Sequence, residues 1–148
     1  MLKRALAILI GLACGPVFSQ SLEPGEWEFN AVTIVTSSPR LPGDQTSVFR
    51  RCIRQEDADD PERWMARQSR TGPCQLTPGE KTEDSMQWDV SCPKTNMRGH
   101  GVARLTGRGT VVSDLWMTGE VQGYRVETYT KTSGKRLGPC KSPESGKN

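Results

Sequence analysis

The clearest alternation in the chain runs from Met86 to Cys92, where Met86, Trp88, Val90 and Cys92 interleave with Gln87, Asp89 and Ser91. A period of two puts the apolar set on one face of a strand and the polar set on the other. Upstream, Cys74, Leu76 and Pro78 share a side, and Lys81 to Ser85 supplies a polar turn. The two segments read as a hairpin. Setting Cys74 opposite Cys92 places Leu76 across from Val90, so the apolar faces agree. Earlier, Glu26 to Thr36 alternates Trp27, Phe29, Ala31, Thr33 and Val35 against Glu28, Asn30, Val32 and Ile34. The second face turns apolar late in the strand, which predicts cover on both sides there. Ser37 to Gly43, with two prolines and a glycine, is a loop, and Thr46 to Ile53 is the next strand.

Gln55 to Arg67 is the one helical stretch. Asp59 or Asp60 suits its cap, Pro61 its first turn, and the acidic residues face the positive end of the dipole. Trp64 is its single large anchor, and Thr71-Gly72-Pro73 ends the segment. Three further strands follow over Arg98 to Thr106, Thr110 to Thr118 and Tyr124 to Lys131, punctuated by Gly107, Gly109, Gly119 and Gly123. The predicted fold is mainly β: an antiparallel meander forming a curved sheet or incomplete barrel, with one short helix inserted at about 55–67. No internal repeat or domain boundary interrupts it.

The first nineteen residues change the picture of composition. Met1-Leu-Lys-Arg4 is basic, Ala5 to Ala13 is apolar, and Val17-Phe18-Ser19 suits cleavage after Ser19. This is the layout of an export signal, and the run is too short to span a bilayer. Gly11-Leu12-Ala13-Cys14 offers a second exported reading, a lipoprotein anchored at Cys14, though Gly11 replaces the usual larger aliphatic residue. Thirteen apolar side chains lie in Met1–Ser19, so the remainder is only roughly 29% apolar. The net charge of +3 likewise falls to +1 once Lys3 and Arg4 are removed. No basic excess remains to neutralise a run of phosphates, so nucleic acid is not an expected partner. The expected organisation is a signal peptide over 1–19, one domain over 20–140 and a loose polar tail over 141–148. The expected location is periplasmic or secreted.

Cys52, Cys74, Cys92 and Cys140 remain after such cleavage. Four cysteines in an exported chain imply two disulfides with three possible connectivities. The hairpin register favours Cys74–Cys92, because directly opposed strand residues are within disulfide reach. Cys52–Cys140 then follows by elimination. The spacings contain no short chelating pair, which argues against zinc.

Several residues in order resemble a known family. They are Pro24-Gly25-Glu26-Trp27, Cys52-Ile53 before an acidic helix start, Cys74, Trp88 and Cys92, Gly99-His100-Gly101, and Gly134-Lys-Arg-Leu-Gly-Pro-Cys140. Together they resemble the domain-of-unknown-function 3617 family of exported proteobacterial proteins, from about Leu22 to Cys140. The resemblance implies a small periplasmic or secreted β-rich domain and supplies no activity. The Ser37–Gly43 loop lacks the methionines frequent in relatives, and His100 is not a signature of the family.

Little in the chain looks like catalysis. His100 is the only imidazole, its glycine neighbours suit an exposed position, and no Gly-x-Ser-x-Gly elbow accompanies it. Glu26 and Glu28 share a face as solvating charges. Glu56-Asp-Ala-Asp-Asp60 begins like a calcium loop, but Glu62 stands where a turn glycine is needed and no bidentate acid closes the loop. Gly107-Arg-Gly109 is a turn and not a phosphate loop. No catalytic residue, metal or cofactor is therefore assigned. Trp27, Trp64, Trp88 and Trp116 either form the core or line a pocket; Trp27, Trp88, Trp116 and Tyr124 are the pocket candidates. The expected function is non-enzymatic binding of an envelope component or small apolar ligand. A structural module for another envelope protein is the alternative, and a hydrolase a distant third.

Overall fold

The computed structural model describes residues 22–37 and 43–141. The signal segment over 1–19 with Cys14, most of the Ser37–Gly43 loop and nearly all of the tail lie outside them. Seven strands, β1 (Gly25–Ser37), β2 (Gln45–Ile53), β3 (Gln75–Lys81), β4 (Ser85–Cys92), β5 (Met97–Gly107), β6 (Thr110–Val121) and β7 (Tyr124–Gly138), form one sheet. Its order is β2-β1-β7-β6-β5-β4-β3, and every pairing is antiparallel. Strands β3 to β7 make the predicted meander. The β1–β2 hairpin joins its far side through β7, and the sheet stays open with β2 and β3 as its edges.

Two helical segments cross from one edge to the other: α1 (Gln55–Asp59) and α2 (Pro61–Thr71). The single helix predicted over 55–67 is thus divided and runs four residues further. The break follows from Pro61, which has no N–H to continue the ladder and disfavours helical backbone at the residue before it. Asp60 adopts φ −135° and ψ 77° there and caps α2 by accepting from the Arg63 backbone N–H. Arg67 of α2 reaches back to Asp57 and Glu56 of α1, bridging the break. The anchor also differs from expectation. Met65 is 2% exposed while Trp64 is 40% exposed. Docking α2 on the β3 edge selects the Met65 side of the helix, and the Ser69 hydroxyl fixes that dock by accepting from the Leu76 backbone N–H at 2.8 Å.

Cross-strand register assigns the sheet two faces. The inner face, on the helix side, carries Trp27, Phe29, Ala31, Leu76, Met86, Trp88, Val90, Gly101, Ala103, Leu105, Val111, Leu115 and Gly134. Trp27 is fully buried at 0%, and its indole N–H donates to the Glu23 carbonyl at 2.9 Å. A side chain at Gly101 would overlap the Trp88 ring, and one at Gly134 would overlap Phe29 and Val111. Glycine at these two positions makes room for the large inner side chains.

Two strand expectations change. Val32 and Ile34 are 41% and 44% exposed on the outer face, so the end of β1 is not covered on both sides. β7 runs to Gly138, well past Lys131, because β1 and β6 pair with it along that length. Cys74 and Cys92 lie opposite each other at a Cα–Cα distance of 4.1 Å, and Leu76 faces Val90. Cys52 and Cys140 form the second pair, at 5.4 Å. No helix among the described residues is long and apolar enough to cross a membrane.

Candidate functional site

The break between α1 and α2 leaves Ala58 and Pro61 facing the inner surface of β4, β5 and β6. Where the helices stop short of the sheet, a cleft of about 340 Å³ opens. Met86, Ala103, Leu105 and Val111 form its floor, Ala58, Pro61 and Leu22 its apolar wall, and the β3–β4 turn its mouth. The floor follows from alternation: Ala103 opposes Met86 on one side and Ser113 on the other, and Leu105 opposes Val111. Ala103 supplies depth because its side chain is short.

The mouth is held by local hydrogen bonds. The Ser85 backbone N–H donates to the Thr82 hydroxyl at 3.1 Å, and the Thr82 hydroxyl donates to Asp84 at 3.0 Å. The Leu105 N–H donates to the Asp84 carbonyl at 2.7 Å, which ties the turn to β5. An apolar floor with a fixed polar rim, at the small end of ligand-pocket volumes, suits a small apolar molecule.

The four residues singled out as a pocket are not brought together. Trp27 and Trp88 share the inner face but lie on β1 and β4, with β7, β6 and β5 between them. Trp116 points to the opposite face, because β6 pairs it with His100 and Tyr129, while Val111 and Leu115 point inward. Tyr124 is exposed beside the β6–β7 turn. Of the cleft residues, Met86 stood out in the sequence through its alternation. Ala103 and Leu105 lie in a weakly alternating strand, and Val111 is adjacent to Val112, so the pattern does not say which of the two faces inward.

The acidic run is engaged locally. Asp60 caps α2, Asp57 and Glu56 pair with Arg67, and Asp59 accepts from Gln55 at 2.8 Å. Glu28 pairs with Arg50 at 2.8 Å. His100 is exposed on the outer face with its Nδ1 3.2 Å from Asp89 Oδ1. Among the described residues no group of three or more His, Cys, Asp or Glu side chains is placed to hold a metal ion.

These features define a class: an open antiparallel β scaffold, fastened by two cysteine pairs, with a helix partly roofing its inner face. The profile of the family described as "Protein of unknown function (DUF3617)" matches residues 22–140, and the chain belongs to that family. No curated protein and no solved structure matches it.

Proposed function

We propose that this is an exported, non-enzymatic binding domain whose inner cleft holds a small apolar ligand. Cleavage after Ser19 would release it into the periplasm or medium, leaving one domain over 20–140 and a polar tail. The observation supporting the binding role is the cleft itself, about 340 Å³ between the α1–α2 break and the inner face. Its floor residues are apolar, and burying apolar ligand surface there would contribute roughly 25 cal/mol per Å² before the costs of association.

Native mass spectrometry of protein purified gently from periplasm tests this reading. The expected result is a noncovalent adduct on a chain starting at Gln20, four hydrogens lighter than the reduced form. Ala103→Phe, which fills the cleft, should remove the adduct while near-ultraviolet circular dichroism stays native. An adduct that survives this substitution, or none from any gentle preparation, would refute the cleft as a carrier site. The β2 edge favours the second reading, a module for another envelope protein: from Gln45 to Cys52 every residue is exposed. Such an edge can accept an added strand.

A further inference from the structure

The outer face carries a second arrangement, independent of the cleft. Tyr129, Trp116, His100 and Asp89 oppose one another in a single row across β7, β6, β5 and β4. Trp116 is 48% exposed, and its ring lies 5.4 Å from that of Tyr129, tilted by 34°. The Tyr129 hydroxyl donates to Asp114 Oδ1 at 2.5 Å, which fixes the phenol beside the indole. Arg104 stands 3.9 Å from the other Asp114 oxygen, and His100 is held by Asp89. The result is an oriented aromatic surface bordered within the sheet by acceptors and donors.

We propose that this row is a binding platform for a neutral saccharide chain. A sugar ring has a face of C–H bonds that packs on an aromatic ring and a rim of hydroxyls that both donate and accept. Trp116 and Tyr129 offer the first surface. Asp89 and Asp114 accept, Arg104 donates, and His100, whose Nδ1–H is turned to Asp89, offers the Nε2 of its neutral ring as an acceptor. Adjacent strands are about 4.8 Å apart, comparable with the width of one sugar ring, so successive units can follow the row. Charge narrows the choice further. Asp89 and Asp114 are balanced by Arg104 and by Lys131, which opposes Asp114 on β7. Nucleic acid would need a basic excess instead. On β1, Ile34 opposes Tyr129 and is 44% exposed, so the apolar strip of the row continues one strand further and lengthens the track.

Binding of short neutral hexose and N-acetylhexosamine oligomers, displayed on an array and then titrated by calorimetry, tests the platform. Wild-type protein should bind at least one oligomer series. Trp116→Ala should weaken that binding roughly tenfold or more, a loss typical of a removed stacking surface. Trp64→Ala removes a comparably exposed indole from α2 and should leave the affinity unchanged. Ala103→Phe should also leave it unchanged, so the result is separable from the fate of the inner cleft. Absence of binding to every oligomer would overturn the proposal. So would equal losses in the two tryptophan variants, or capture of a protein through Trp116 without any response to sugars.

Discussion

At the scale of single residues, the Tyr129–Asp114 hydrogen bond has the most direct physical consequence. Donation of the phenol proton to the carboxylate raises the Tyr129 pKa above its ordinary 10.0. Desolvation and the negative charge of Asp114 act in the same direction. A raised pKa means that the folded state keeps this proton when the unfolded chain has begun to lose it. The stabilisation is therefore complete below pH 10 and is lost as pH rises through the folded-state value. Tyr129→Phe removes both the proton and the bond. The expected outcome is a smaller fall in urea midpoint above pH 10 for the variant than for wild type. The absorbance of ionised tyrosine should show a late-titrating phenol in wild type that is missing from Tyr129→Phe. Identical alkaline slopes in the two proteins would show that the bond does not persist in solution.

At the scale of elements, legibility depends on whether the deciding interaction is local. The hairpin of β3 and β4 was readable from the cysteine pair to Pro78 opposite Trp88, including Leu76 against Val90, because the alternation there sets one register. The register shift between Pro78 and Lys81, which brings Lys81 into β3 opposite Met86, was not. Nor was the end of β7. Apart from Leu137, its residues from Thr132 to Gly138 are polar or small, and they are strand only because β1, about a hundred residues earlier in sequence, lies alongside. β6 is apolar on both faces, so its sequence does not say that Val111 faces the cleft and Trp116 the solvent. The helix shows both cases. Pro61 and the acidic cap were visible, whereas the choice of Met65 over Trp64 awaited the β3 edge on which α2 docks. Asp60 permits a test of the local part. Its carboxylate satisfies the Arg63 N–H, and Asp60→Ala should lower stability by about 1 kcal/mol. A chemical denaturation curve with unchanged slope and lower midpoint would register it. Because the same break opens the cleft, any adduct should also be held less tightly.

At the scale of the molecule, the two cysteine pairs contribute unequally. Cys74 and Cys92 are 18 residues apart and fasten strands that a tight turn already holds together. Cys52 and Cys140 are 88 residues apart and fasten the end of β2 to the chain just beyond β7, on either side of the start of β1. Loop-closure entropy gives about 3 kcal/mol for the shorter span and about 4–5 kcal/mol for the longer. The difference matters because the core is lean: among the described residues, Trp27 on β1 and Met65 on α2 are the large side chains buried essentially completely. An open sheet also has no closing strand to hold its β2 edge in place. The Cys52→Ser/Cys140→Ser variant should therefore lose more stability than Cys74→Ser/Cys92→Ser, by roughly 1–2 kcal/mol in denaturant titrations. Hydrogen exchange should locate the loss. Without Cys52–Cys140, amides of β1 and β2 should exchange early while β4 to β6 remain protected; without Cys74–Cys92, the change should stay near β3 and α2. The outer row on β4 to β7 should keep its geometry in the first variant, because none of its side chains lies on the loosened hairpin. Equal destabilisation and uniform exchange in both variants would mean that the sheet unfolds as one unit, with neither pair guarding a particular edge.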